Sequence, residues 1–373
     1  MPASTRSRTS TDDADTPNKR RKVEPEGDEV ALSDVELGER SKDLWFEDGG
    51  VILAAQGMSF RVHKGLLALR SDVFKALLDD AALRERPEAV EGCPVVRVED
   101  RGKDLHDLLH IIYNGANSDW HSSSRPPIKY SDFRRVVDIA LKYDIKDILA
   151  EAKYRLSQVF PTDNVDDWVY NLQPLGDETP LVLVFGHCID IVRISRLLGM
   201  HSILPLVFYT CCNIIPFEDI ARGVESEGIP GRLTLSPEDL FSCLKGRDQL
   251  LRHETRIMRA FQELAAHSHA RSDKCTTQAK CRKALQLLDL SAIDGGLYNE
   301  PDPIDHMDSW LDEQEAMPNA RPCQHCDEML RQLMNERRKE TWCKLGEIFG
   351  VPEWPAGQKD VAEAPAKDAP VAA

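Results

Sequence analysis

Apolar and polar positions change their period several times along the chain, and each change predicts an element. Residues 44–62 read as extended: Val51-Ile52-Leu53 is a short apolar run, Gln56-Gly57 supplies a turn, and Phe60-Arg61-Val62 alternates. Together they predict a β-hairpin. After His63, the residues Leu66, Leu67, Leu69, Val73, Phe74 and Leu77 recur at helical spacing and predict one broad helical face. A charged loop over residues 81–91 leads to Cys93-Pro94-Val95-Val96-Arg97-Val98, a third strand, after which Leu105, Leu108, Leu109, Ile112 and Tyr113 mark a helix. A Ser/Pro-rich loop precedes Ser131-Asp132, whose side chains suit a helix N-terminus, and Phe133, Val136, Val137, Ala140 and Leu141 carry that helix. Ile145, Ile148, Leu149, Ala152 and Leu156 form the next one, and the link at Tyr143-Asp144 is short enough to make the two a helical hairpin.

The following half reads as helical throughout. Between residues 181 and 215 the pairs Leu197-Leu198, Ile203-Leu204 and Val207-Phe208 are separated by polar positions at helical intervals. Ser236-Pro237-Glu238-Asp239 is a helix start, with Ser as cap and Pro in the first turn, and Leu250, Leu251, Ile257 and Met258 mark one face of a long helix behind it. A last helix carries Met329, Leu330, Leu333 and Met334 on one side and Arg331, Arg337, Arg338 and Lys339 on another. It ends at Phe349-Gly350-Val351-Pro352, with Trp342, Phe349 and Trp354 as its anchors.

The two ends have a different composition. Residues 1–40 are rich in Ser, Thr, Asp, Glu and Pro, residues 356–373 in Ala, Pro, Lys, Asp and Glu, and neither has apolar surface to offset the entropy of ordering. Both are expected to be disordered tails. Within the first, Lys19, Arg20, Arg21 and Lys22 follow Pro17-Asn18 as a compact cationic cluster that resembles a nuclear import signal; a solvated charge run is the alternative. Nuclear localisation, with a cytoplasmic pool allowed, is the expectation.

Across 373 residues the formal charge is −16, which argues against coating nucleic acid or an anionic membrane through the overall field. No long uncharged apolar run is present and the first residues are polar, so a soluble, non-secreted protein without a membrane partner is expected. The ten cysteines are then reduced by default, and Cys188, Cys211, Cys212 and Cys243, set among apolar residues, read as small buried hydrophobes.

The order strand, strand, helix, strand, helix, helix, helix resembles the BTB/POZ fold, and particular residues agree with that family. Phe60-Arg61-Val62-His63-Lys64, then Leu66, Ala68, Ser71, Phe74 and Leu77-Leu78, look like its first signature. Leu108-Leu109, Ile112-Tyr113-Asn114-Gly115 and residues 137–156 look like its later helices. The fold class expected is α+β: a BTB/POZ domain over 41–158, with a short sheet and helical hairpins, followed by a mainly helical region over 159–355. With Leu44-Trp45-Phe46 at its opening, the chain resembles the large fungal set of BTB proteins with a helical extension.

The resemblance implies protein partners and homodimerisation, with Asp48 and Lys64 at positions like the charged pair of dimeric BTB interfaces; plain surface charge is the alternative. Leu83-Arg84-Glu85 resembles the hydrophobic-x-Glu tripeptide of cullin-recruiting members, so Leu83 and Glu85 are cullin-contact candidates, against the reading of a solvated helix end. His63, between a strand and an apolar helix, is expected as a buried neutral histidine bonded to backbone rather than a catalyst.

One constellation has metal-site spacing. Cys275-x5-Cys281 and Cys323-x2-Cys326 could supply four thiolates to a structural zinc ion, with His325 as an alternative ligand; four unrelated reduced thiols have the same spacing. No phosphate-binding loop, dinucleotide fingerprint, nucleophile elbow or H-E-x-x-H is found, so a non-enzymatic role is expected. The function that follows is BTB-mediated dimerisation and partner recruitment, with indirect transcriptional regulation in the nucleus and no direct nucleic-acid contact. A cullin-type ubiquitin-ligase adaptor is the alternative, and a plain scaffold the third reading.

Overall fold

The computed structural model describes residues 30–31, 37–79, 83, 88–121, 127–171, 179–184, 186–226, 228–266, 274–294, 301–304 and 321–355. The expected tails, apart from Val30 and Ala31 and residues 37–40, lie outside these. Six strands, β1 (Val30–Ala31), β2 (Glu39–Trp45), β3 (Val51–Gln56), β4 (Met58–Val62), β5 (Glu88–Val90) and β6 (Cys93–Arg101), form one mixed sheet in the order β1-β5-β6-β3-β4-β2. β3 is apolar at successive positions because both its faces are covered. Val51 and Leu53 join the main core with Phe60 and Val62. Ile52 and Ala54 face a smaller layer of Leu37, Val90, Cys93 and Val95. The hairpin β3–β4 turns at Gln56-Gly57 as expected, with Gly57 at φ +81°.

The expected helix after His63 is two. α1 (Lys64–Arg70) and α2 (Asp72–Leu77) are separated by Ser71, which is extended at φ −151° and ψ 124°. Its hydroxyl accepts from the Phe74 amide at 2.9 Å, capping α2, and donates to the Tyr143 carbonyl. The break turns one anticipated face into two. Leu67 and Phe74 are buried, Leu66 is only half-buried, and Leu69 and Val73 are 80% and 40% exposed. The loop expected over 81–91 also contains a strand: β5 pairs with β6 through Glu91-Gly92, both with positive φ, as a two-residue hairpin turn requires.

Helices α3 (Gly102–Asn114), α4 (Tyr130–Lys142) and α5 (Lys146–Val159) complete this half. A Cβ on Gly102 would lie 2.7 Å from Met58, so a glycine lets α3 start against the hairpin. α4 begins at Tyr130, capped by no side chain, which places Ser131 and Asp132 inside its first turn instead of ahead of it; Asp132 accepts from Arg135 at 2.5 Å. Tyr143 stacks on Phe74 with ring centroids 4.2 Å apart, joining the helical hairpin to α2.

The second half has α6 (Val165–Asn171), α7 (His187–Leu197), α8 (Leu204–Ile214), α9 (Phe217–Arg222), α10 (Pro237–Ala266), α11 (Gln278–Asp294) and α12 (Gln324–Phe349). It is mainly helical, with short strands that the residue pattern did not reveal. β7 (Ile128–Lys129) pairs in parallel with β8 (Leu181–Val182), so the apolar run from Leu181 opens as a strand, and β9 (Val224–Ser226) forms a hairpin with β10 (Ile229–Leu233). α8 is apolar nearly all round and is buried by α7, α10 and α12, the expected fate of such a helix. α10 starts as expected: Pro237 is its first residue, and the Ser236 hydroxyl accepts from the Asp239 amide at 3.1 Å. α12 stops at Gly350, φ +71°, and the Trp354 indole donates to the Trp342 carbonyl at 2.9 Å.

The two halves share one core, a single cluster of buried side chains that runs from Leu44 to Trp354. Asp190 on α7 fastens them at its edge. It is buried and accepts from Tyr130 at 2.9 Å and Arg134 at 2.8 Å, both on α4, and from Arg193 at 2.8 Å. Arg155, also buried, donates to the carbonyls of Asp119, Trp120 and Pro180. No helix among the described residues is long and apolar enough to cross a membrane.

Candidate functional site

The corner between β4 and α1 gathers several residues of the signature. The His63 amide donates to the Tyr113 hydroxyl at 2.8 Å, and the same oxygen sits 3.0 Å from His63 Nδ1. On the other side Nε2 lies 3.1 Å from Asp48 Oδ1. The hydrogen bond from His63 holds the Asp48 carboxyl below the usual carboxylate value, and burial pushes the Tyr113 phenol up. Phe46 stacks on Tyr113 with centroids 4.8 Å apart and leans on the His63 ring at 5.1 Å.

His63 is thus half-buried, and its ring partners are the Tyr113 hydroxyl and the Asp48 carboxylate rather than the backbone expected for it. The contacts of His63 with Tyr113 and Asp48 help fix where the chain leaves the sheet for α1, and leave Asp48 open to solvent. Sequence periodicity could not pair Asp48 with His63, because the contact crosses a hairpin.

Around this corner the surface is open. Asp48 is 85% exposed, Lys64 is exposed at the first turn of α1, and Leu69 and Val73 present apolar side chains from α1 and α2. Leu83 is half-buried and packs on the main core. Glu85, and the basic cluster Lys19, Arg20, Arg21 and Lys22, lie outside the described residues.

The second site is the cysteine constellation. Cys275 and Cys281 flank the start of α11, and Cys323 is the N-cap of α12 with Cys326 in its first turn. The structure brings all four together, their sulfurs within 4.8 Å of one another. None is in a disulfide. Cys323 and Cys275 sulfurs are 3.8 Å apart, and a tetrahedron with metal–sulfur bonds of about 2.3 Å has edges of about 3.8 Å. The Cys323 amide donates to the Cys281 sulfur at 3.1 Å, and the Thr277 hydroxyl lies 3.4 Å from it. Burial raises the Cys281 thiol, but these hydrogen bonds outweigh it and pull the value down to about 7. Such a thiol is ready to act as a thiolate ligand.

His325 stands apart from the four, its Nδ1 3.8 Å from Glu328, so the alternative ligand is not brought to the cluster. The other cysteines behave differently: Cys188, Cys211, Cys212 and Cys243 are buried among apolar side chains, and burial pushes Cys211 and Cys212 well above the ordinary thiol value. They pack as hydrophobes. Between the two halves of the cysteine cluster, Pro301-Asp302-Pro303-Ile304 docks on α8, where Tyr209 bonds to Asp302 and accepts from the Ile304 amide at 3.2 Å.

Residues 48–158 match the family model of the BTB/POZ domain, a protein-interaction fold. No curated protein is matched by the chain.

Proposed function

From a BTB/POZ domain at residues 48–158, we propose that the protein self-associates and recruits partners, that it does so in the nucleus, and that any effect on transcription is indirect. The observation that carries this reading is the exposure of Leu69, 80%, and Val73 on two consecutive short helices, with Asp48 and Lys64 also exposed where the first of them begins. A two-fold interface is self-complementary, so a surface that offers exposed apolar residues, an acid and a base can meet its own copy, Asp48 of one protomer against Lys64 of the other. Leu83 packs inward, so this surface gives a cullin-adaptor role no support of its own.

Light scattering on charge exchanges tests the dimer. Asp48→Lys and Lys64→Asp should each weaken association, and the double exchange should restore it. Equal masses for all four forms would remove Asp48 and Lys64 from the interface. Nuclear import predicts that a fluorescent fusion of the full chain accumulates in the nucleus and that replacing Lys19, Arg20, Arg21 and Lys22 by alanine disperses it.

The four-cysteine cluster supports a structural rather than catalytic zinc ion, because a closed four-thiolate set leaves no position for substrate. Cys275, Cys281, Cys323 and Cys326 would hold it, tying the start of α11 to the start of α12. Lys274, Lys280 and Arg282, next to these cysteines in sequence, and Arg321, two residues before Cys323, are cations that would offset the negative charge of four thiolates. Metal analysis of purified protein should find one zinc per chain. Less than about 0.2 per chain, with stability unchanged by chelator, would dispose of the ion.

A further inference from the structure

Away from both sites, α10 and α12 enclose a cleft of about 410 Å³. Lys245, Arg252 and Arg256 line it from α10, seven and four residues apart and so on one stripe of that helix, while Lys344 and Glu347 face them from α12. Asp248 is occupied by Arg252 at 2.9 Å, and Lys344 by Glu340 at 2.6 Å. Among the described residues, neither Lys245 nor Arg256 is paired with a carboxylate. The cleft therefore holds an excess of cationic charge in a chain whose formal charge is −16. His253 in its wall registers that charge: burial first, then Arg256 and Lys344, hold its imidazole below the ordinary value.

We propose that this cleft binds the phosphate of a phosphorylated serine or threonine side chain on a protein partner. A phosphate monoester carries close to two negative charges on one compact group with three acceptor oxygens. Guanidinium groups one helical turn apart can grip such a group with several charge-assisted hydrogen bonds. An extended polyanion fits worse, since Glu347 and Asp248 stand in the lining and the rest of the chain repels it. A single carboxylate brings half the charge. The inference is independent of the dimer interface and of the cysteine cluster.

The test uses the full chain. Titration with inorganic phosphate, against chloride at matched ionic strength, is followed by the ring resonances of His253, identified by their loss in His253→Gln. A saturable shift specific to phosphate is expected. It should weaken about tenfold, the loss of one charge-assisted hydrogen bond, in Arg256→Glu and in Lys245→Glu, and stay the same in Lys103→Glu. Both cleft positions are exposed, and circular dichroism confirms that the variants fold. In a second arm, a library of phosphoserine and phosphothreonine peptides and its unphosphorylated twin are passed over immobilised protein. Enrichment of phosphorylated peptides by the native chain and not by Arg256→Glu supports the proposal. A shift matched by chloride, or saturation indifferent to both cleft variants, overturns it, as does phosphate binding without peptide enrichment, which would assign the cleft to a small molecule.

Discussion

Asp190, which belongs to no motif, is a buried carboxylate at the junction of α4 and α7. It is satisfied by Tyr130, Arg134 and Arg193, so it joins α4 to α7 through two hydrogen bonds and takes a third from its own helix. Breaking a buried charge network by removing one member leaves the others unpaired. Asp190→Ala is expected to cost about 3 kcal/mol, the low end for such a break, because both arginines keep some access to water. Urea denaturation measures it, and a loss below about 1 kcal/mol would place the junction's strength elsewhere. His187, nearby, gives a pH dependence. Burial lowers its folded value to about 4 from an ordinary 6.5, against the opposing pull of Asp190. The unfolded chain therefore takes up the proton first: stability is intact above pH 6.5 and falls as the pH drops from there towards 4. The loss should be about 2 kcal/mol once screening by water is allowed for, and His187→Gln should flatten this portion of the urea-midpoint profile relative to the native chain.

Between elements, α10 and α12 approach closely at Gly246. A Cβ on Gly246 would lie 2.1 Å from the Phe349 ring, and that ring stacks in turn on Phe208 at 5.6 Å. In an isolated helix Gly→Ala gains about 1 kcal/mol. Here overpacking reverses the sign, and Gly246→Ala should destabilise by about 1–3 kcal/mol, less in a Phe349→Leu background, as read from urea midpoints of the four combinations.

Elements with a local signal were readable from the residues alone. Ser236-Pro237 and Gly350 mark the ends of α10 and α12 because capping and left-handed stops depend on a few adjacent residues. The apolar run of β3 and the Gln56-Gly57 turn gave the hairpin for the same reason. The break at Ser71 was missed because the apolar spacing runs through it; its cap on the Phe74 amide is local, but the hydrogen bond to the Tyr143 carbonyl, in the link between α4 and α5, is not. Strands as short as Leu181–Val182 carry no period, and the partner that orders them lies far along the chain. The turn at Glu91-Gly92 was not recognised, since the charge around it reads as loop. At the cysteines, spacing singled out Cys275-x5-Cys281 and Cys323-x2-Cys326 as one candidate set, and the fold brings the four together.

At the scale of the whole molecule, one apolar cluster links the BTB/POZ domain to the helical region, so the surface proposed for association belongs to a continuous framework. The cysteine cluster is separate from that core, and its three buried members form a small group of their own. Zinc removal is accordingly expected to act locally. Chelator should expose the start of α11 and of α12 to limited proteolysis while leaving fragments that contain residues 48–158 intact. Simultaneous loss of both regions would show that the cluster supports the entire fold. The central claim is self-association through α1 and α2, and sedimentation equilibrium of the full chain at micromolar concentration tests it most directly. The native protein should have twice the 42.0 kDa of one chain, and Leu69→Glu should reduce it to one; a native mass of one chain, or a dimer that Leu69→Glu leaves intact, would contradict the account.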